Sequence, residues 1–302
     1  MLTIMEMVSM SGVSDTKNES VQKQIVYSFF DKNDAWQGEA YDILNDYQSR
    51  LLRRRRQYSI GMLEKFPGIC RGKALDIGCG AGAYLEKLLK LGFEVTGVDI
   101  SDGMLAASRK RLSIDCNETD RVHLKLGDIE SLPLPDGEFD VVICIGVVGY
   151  LFQDDRAQSE IRRVLKPGGH LLLYLSNICS SSNIDFLVRR KIKSLLEPDK
   201  QEAGSMPLPS YAVELKWARE HQKYFYKAYN PWRYERFMAQ NGFKLVDAMT
   251  FGFEFRLLRR LHLVPVRWLD KFELALERFV HRFKIPYLSY SGWMYTGLFT
   301  KV

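Results

Sequence analysis

The feature that most constrains this chain is the change of hydrophobic period after Pro67-Gly68. From there to Asn177, short apolar runs alternate with helical stretches: KALDIG (73–78), FEVTGVDI (93–100), VHLKLGD (122–128), FDVVICIG (139–146) and HLLLYLSN (170–177). The fourth run is almost wholly apolar, as a parallel strand covered on both faces must be. Runs of this kind, separated by amphipathic helices, predict an open α/β sheet with parallel crossovers. The connecting segments carry the matching stop and start signals. Leu85, Leu88 and Leu89 share one face of a helix over 84–91, and Gly92 ends it. Ser101-Asp102 can cap a helix running to about Ser113. Residues 155–166 read as a helix, and Lys166-Pro167-Gly168-Gly169 as the turn before the fifth strand. Further on, Asn230-Pro231 opens a helix that Asn241-Gly242 closes. FKLVDAMTF (243–251) and WMYTGLFTKV (293–302) supply two last strands.

The flanks are organised differently. Residues 1–20 are Ser-, Met- and polar-rich without a period and read as a flexible tail. Residues 21–68 are helical: Ile25, Phe29 and Phe30 share a face, and Ile43, Leu44, Tyr47, Leu51 and Leu52 recur at three and four. Residues 178–230 and 252–292 interrupt the strand–helix rhythm as two insertions. The chain has 302 residues, a length one large domain over 21–302 can account for. Hydrophobic residues make up 46% and charged residues 26%, which excludes disorder of the whole chain and collagen-like or coiled-coil composition. No stretch approaches the roughly 18–20 apolar residues a membrane span requires. The first residues lack a basic segment and carry Glu6, so they make a poor signal peptide. Five scattered cysteines without a C-x-x-C pair suggest neither zinc nor disulfides, and a cytoplasmic protein is expected. A net charge of +6 is modest, and no nucleic-acid partner is expected.

Chemistry concentrates at the first strand–helix junction, Leu75-Asp76-Ile77-Gly78-Cys79-Gly80-Ala81-Gly82. Glycines there permit positive φ and a close approach of backbone to ligand, and the helix that follows offers free N–H groups. A dinucleotide-dependent oxidoreductase uses a similar turn. The neighbouring acids separate the two readings. Asp99 ends the second strand, where a carboxylate can accept both hydroxyls of a ribose. Gly127-Asp128 ends the third, where one can accept an adenine amino hydrogen.

Together, ALDIGCGAG, VTGVDIS, LGDIESLPLPDGEFDVVIC and LKPGGHLLLYLSN resemble the successive motifs of the class I S-adenosylmethionine-dependent methyltransferases. The resemblance is tight over about 73–177 and looser over YNPWRYERFMAQNGFKLV. It implies a Rossmann-like seven-stranded sheet, mostly parallel with the last strand antiparallel, a helical N-terminal lid over 21–68 and S-adenosyl-L-methionine as cofactor. It also implies roles. Gly78, Gly80 and Gly82 would line the methionine and ribose, Asp76 would orient the turn and the ammonium, and Asp99 with Ile100 would hold the ribose side. Asp128 and Ile129 would meet the adenine, and Ile145 would lie beside the methionine. One of the consecutive arginines 53–56, Arg55, would face the cofactor carboxylate, and the others are expected to be solvated. Phe30, Trp36 and Tyr41 are candidates to close the lid.

The chain departs from metal-dependent relatives after the fourth strand. Where those carry Glu-x-x-Glu-His, it has Gly146-Val147-Val148-Gly149-Tyr150, so no metal is expected. The two glycines could leave room for a bulky substrate or simply pack. His221 is the candidate general base, and Tyr150 a candidate for hydrogen bonding or stacking with the acceptor. The resemblance implies a small or lipid-like acceptor that attacks the methyl group through an oxygen. A cofactor-binding regulatory protein without turnover is the alternative from another class. Within the second insertion, residues 256–284 hold eight bases against three acids. Leu269, Phe272, Leu276, Phe279, Val280 and Phe283 form one apolar stripe, with Arg267, Lys271, Arg278, His281 and Arg282 largely elsewhere. Such a helix over 265–284 can pack on its own domain or make a peripheral membrane contact.

Overall fold

The apolar runs become strands because each can bury side chains on both of its faces. This is seen in a computed structural model that describes residues 19–32, 41–43, 47–66, 68–69, 72–113, 119–151, 153–180, 212–214, 226–253, 265–283, 285 and 288–302. The strands are β1 (Lys73–Ile77), β2 (Glu94–Asp99), β3 (Val122–Leu126), β4 (Phe139–Cys144), β5 (Leu165–Ser176), β6 (Ala212–Glu214), β7 (Lys227–Tyr229), β8 (Phe243–Phe251) and β9 (Met294–Lys301). Seven of them form one sheet in the order β3-β2-β1-β4-β5-β9-β8. Strands β1 to β5 pair in parallel, and β9 runs antiparallel to both β5 and β8. Along β4, Val142 and Cys144 enter the core on one face, and Val141 and Ile143 the core on the other. That two-sided burial is why its sequence does not alternate. Strands β6 and β7 form a separate antiparallel pair.

Among the described residues the α-helices are α1 (Glu19–Asp31), α2 (Tyr47–Glu64), α3 (Leu85–Lys90), α4 (Asp102–Leu112), α5 (Asp154–Val164), α6 (Pro231–Gln240) and α7 (Val266–Phe283). Two begin where capping chemistry places them. The Ser101 hydroxyl accepts the Met104 N–H at 3.1 Å, and the Asn230 side chain accepts the Arg233 N–H at 3.2 Å ahead of Pro231. α4 ends at Ser113, which adopts φ 48°.

Three expectations are corrected. The Lys166-Pro167-Gly168-Gly169 segment is not a turn ahead of the fifth strand but lies inside β5. The register with β4 jumps there, from Phe139 opposite Leu165 to Val141 opposite His170, and Gly168 absorbs the irregularity at φ 74°. The arginines of α2 are not mainly solvated: none of Arg53, Arg54, Arg55 and Arg56 is exposed. Arg54 reaches Glu273 and Glu277 of α7 at 3.3 and 3.1 Å, and Arg56 reaches Asp42 at 2.8 Å. Finally, the apolar stripe of α7 does not face one way. Leu269 and Val280 are buried, but Phe272, Phe279 and Phe283 turn outward. The inner face instead carries Glu273 and Glu277, both fully buried. Arg54 pairs with both acids, while the Tyr58 hydroxyl and the Gly252 N–H also donate to Glu277. Acids so paired can be buried against α2, which leaves the larger aromatics outside.

Among the described residues, no helix is long and apolar enough to cross a membrane. The tail over 1–18, Trp36, His221 and most of the first insertion lie outside the described residues.

Candidate active site

The C-terminal ends of β1, β2 and β4 converge on the glycine turn. Gly78, Gly80 and Gly82 all take positive φ, at 68°, 51° and 76°. The turn is bound from both sides. The N–H groups of Gly78 and Cys79 donate to the Val98 carbonyl at 2.7 and 3.1 Å, and the Ser108 hydroxyl donates to the Gly80 carbonyl at 2.7 Å. A Cβ at Gly78 would collide with Val147, and one at Gly82 would come within 2.9 Å of the Ser108 hydroxyl. Side chains are excluded here by packing as well as by φ.

The acids around the turn differ in their partners. Asp99 is buried, and its two oxygens accept the Gly80 N–H at 2.8 Å and the Ser101 N–H at 3.0 Å. Burial pushes its carboxyl above the usual range, against those N–H groups. Each oxygen retains a second lone pair for a further donor. Asp76 is 2% exposed, and its Oδ2 is buried with no hydrogen-bond partner. Burial, and then the charge of Asp99, hold its carboxyl well above the usual range. Asp128 is more open. Its Oδ1 accepts the Glu130 N–H at 3.0 Å, and its Oδ2 accepts the Lys23 ammonium at 2.7 Å. Lys23, from α1, also contacts Glu130. Partial burial pulls the ammonium down, but the two carboxylates hold it above its ordinary value. Ile129 and Ile145 are buried and Ile100 half-buried, lining the same strand ends.

Arg55 is a second buried ionisable group, with no counterion among the described residues. It is 9% exposed, and its Nε has no hydrogen-bond partner. The guanidinium lies 4.7 Å from the centre of the Tyr174 ring and donates to the Tyr41 hydroxyl. A Cβ at Gly146 would be 3.5 Å from its Nη1, which places the charge at the end of β4. The space offered by the two glycines after β4 is therefore taken by the protein rather than left for a substrate. Gly146 has φ 81° beside Arg55, and a Cβ at Gly149 would meet the Tyr226 ring at 2.5 Å.

Tyr150 sits in the turn that follows β4. Its ring contacts Phe30 of α1 edge-on at 5.4 Å and Tyr226 at 4.9 Å. The Tyr226 hydroxyl lies 2.6 Å from Ser176 Oγ, which lies 3.2 Å from the Tyr174 hydroxyl. Helix α1 is fastened over this end of the sheet by Lys23 and by Asp31, which accepts the Ser101 hydroxyl at 2.9 Å and the Gly103 N–H at 3.0 Å. Of the lid candidates, Phe30 meets Tyr150 and Tyr41 meets Arg55. Sequence reasoning missed Lys23, Tyr174, Ser176 and Tyr226. None belongs to a local motif, and Lys23 is 105 residues from its partner. A cleft of about 770 Å³ opens at the opposite end of the sheet between Asp136, Arg162, Asn241 and Lys301, and no predicted site residue lines it.

The chain is similar to known proteins over part of its length. Residues 75–173 match a family model described as "Methyltransferase domain". The chain is 34% identical over 155 residues to the malonyl-[acyl-carrier protein] O-methyltransferase of Serratia marcescens, covering 51% of this chain and 54% of that protein. It is 39% identical over 141 residues to the ubiquinone/menaquinone biosynthesis C-methyltransferase UbiE of Bordetella avium, covering 44% and 51%. The matched segment thus spans about half the length of these relatives. The fold is shared with magnesium protoporphyrin IX methyltransferase from Synechocystis, solved with bound SAH. That likeness has a TM-score of 0.56 at 16% identity and covers 93% of this chain and all of the other.

Proposed function

We propose that this chain, whose residues 75–173 match a family model described as a methyltransferase domain, transfers the methyl group of S-adenosylmethionine to an oxygen of a small or lipid-like acceptor without a resident metal. The observation that carries this reading is the pair of buried ionisable groups of opposite type, Asp76 and Arg55, each with a buried polar atom that lacks a hydrogen-bond partner among the described residues. A buried charge left unpaired is costly. An α-amino-acid zwitterion offers an ammonium to the one and a carboxylate to the other, and the methionine end of the cofactor is such a group.

The remaining residues fit the rest of the molecule. Asp99 keeps a free lone pair on each oxygen for the ribose hydroxyls. Asp128 offers an acceptor for the adenine amino group, in competition with Lys23. Ile100, Ile129 and Ile145 supply apolar surface, and the glycine turn allows the backbone to come close. When bound, the cofactor supplies an electrophilic methyl group on a sulfonium, which needs no acid to activate it. The chain's own work is then to bind, to orient and to exclude water. Phe30, Tyr150 and Tyr226 form an aromatic wall suited to an apolar acceptor. The Tyr226–Ser176–Tyr174 hydroxyl chain supports an oxygen nucleophile, because it can hydrogen-bond an acceptor hydroxyl. His221 is the proposed base for its proton.

Two measurements bear on this. Asp99→Ala should weaken S-adenosylmethionine binding by about 1.5–3 kcal/mol, the scale of charge-assisted hydrogen bonds. Calorimetry showing unchanged affinity, or tight binding of NAD by the unmodified protein, would sink the assignment. Methyl transfer to an accepted substrate should also survive EDTA, since Gly146, Gly149 and Tyr150 stand where metal-dependent relatives carry ligands. Activity abolished by chelation and restored by magnesium would overturn the metal-free mechanism.

A further inference from the structure

Helix α7 presents an outer face of unusual composition. Trp268, Phe272, Phe279 and Phe283 are 61%, 57%, 50% and 59% exposed. They advance by four, seven and four residues and so share one side of the helix. Between them lie Lys271, Ala275, Arg278 and Arg282, all exposed. No acid is among the exposed residues described on this helix. Glu273 and Glu277 are turned inward onto Arg54, and Asp270 is half-buried beside Arg50 at 3.6 Å. The outer face is therefore aromatic and basic throughout. Four large aromatics on one exposed stripe are more than a surface that faces only water requires.

We propose that this face docks α7 on an anionic membrane surface, with the helix lying in the plane of the headgroups. Charge complementarity selects this occupant. The exposed rings of Trp268, Phe279 and Phe283 suit an apolar partner, and the bases beside them, Lys271, Arg278 and Arg282, suit anions. The interface of an anionic bilayer supplies both at once, with acyl chains for the rings and phosphates or carboxylates for Lys271, Arg278 and Arg282. A second copy of this chain would set the same bases against one another. Trp268 suits the headgroup level, where an amphipathic ring is favoured, and Lys271 already lies 5.9 Å from the centre of that ring. Phe279 and Phe283 contact each other at 4.8 Å and would enter as a pair. The proposal stands on α7 and does not depend on methyl transfer. If both hold, Arg54 ties the docked helix to the neighbour of Arg55, so the site would lie one helix away from a lipid-borne acceptor.

The test is co-sedimentation of the full chain with phosphatidylcholine vesicles, with and without phosphatidylserine, at low and high salt. Association should require phosphatidylserine and fall with salt. Each base near such a surface is worth about fivefold in partitioning, so Lys271→Gln, Arg278→Gln and Arg282→Gln together should lower it on the order of 100-fold. Trp268→Ser, Phe279→Ser and Phe283→Ser together should lower it at least about tenfold. Neither set should change the thermal midpoint, because all six side chains are exposed. Failure of the unmodified protein to sediment at low salt would overturn the proposal. So would association that survives the aromatic replacements. A dimer lost on those replacements, without vesicle binding, would assign the face to a second copy instead.

Discussion

Lys227→Met is expected to lower the unfolding free energy by about 3–5 kcal/mol, the cost of leaving one member of a buried ion pair alone. The Lys227 ammonium is fully buried 2.7 Å from the Asp154 carboxylate, whose side chain is 1% exposed. Burial pushes each group toward its neutral form, the lysine down and the aspartate up, against their mutual attraction. The Tyr229 hydroxyl ties the pair to the site: its oxygen lies 3.1 Å from Asp154 Oδ1 and 2.7 Å from the Val148 carbonyl, in the turn that carries Tyr150, and its single proton is shared between them. Thermal unfolding should show a midpoint lower by roughly 10 °C for a domain of this size. The loss should grow as pH rises above about 4, where the unfolded carboxyl ionises and the stranded Asp154 cannot do so cheaply. Adding Asp154→Leu should restore much of the stability, because a hydrophobic pair of similar volume avoids the desolvation of both ions. A midpoint unaffected by the single change would show that the pair contributes nothing.

Asp76→Asn is expected to act in opposite directions on the free and the ligand-bound protein. The folded carboxyl is held above its unfolded value by burial. The folded state therefore retains a proton that the unfolded state gives up above about pH 4, and stability of the free protein falls as pH rises toward the folded value. The amide removes that penalty and should stabilise the free protein by about 1–3 kcal/mol at neutral pH. Binding an ammonium requires the ionised carboxylate, so cofactor affinity should rise with pH across the same window and then level off. In the variant that rise should vanish, with affinity about 100-fold lower at neutral pH. The gain in midpoint on adding S-adenosylmethionine, large for the unmodified protein, should nearly disappear. A variant that binds as tightly as its parent would remove Asp76 from the site.

Local chemistry made much of this fold legible. The Ser101 and Asn230 caps depend on side chains within three residues of the N–H groups they satisfy. The positive φ angles of Gly78, Gly80 and Gly82 belong to a turn written in consecutive residues. The apolar, unalternating 139–144 run declared a strand buried on both faces. The Lys166-Pro167-Gly168-Gly169 segment has the chemistry of a turn, and only its pairing with β4 makes it a bulge inside β5. The acids at the ends of β1, β2 and β3 stand out in the sequence because each lies in, or within two residues of, a readable strand. The Tyr226–Ser176–Tyr174 chain and the Lys23 contact were not, because their members meet only through tertiary folding.

Helix α7 marks the boundary most clearly. Its amphipathic period over 266–283 follows from spacing alone, since residues three and four apart share a face. Which face turns inward does not follow, because the aromatic stripe and the acidic stripe are both periodic. Only the folded chain brings Arg54 against Glu273 and Glu277, more than two hundred residues away. Those ion pairs, with the donors from Tyr58 and Gly252, let two carboxylates be buried and leave the aromatics outside. The same holds for Arg55: its place among four arginines made it one choice of several, and the Tyr41 and Tyr174 rings decided that it alone is buried. Sequence determines what lies near in the chain, and tertiary structure determines which charges find partners, because the energy of a buried charge depends on neighbours that no local pattern encodes.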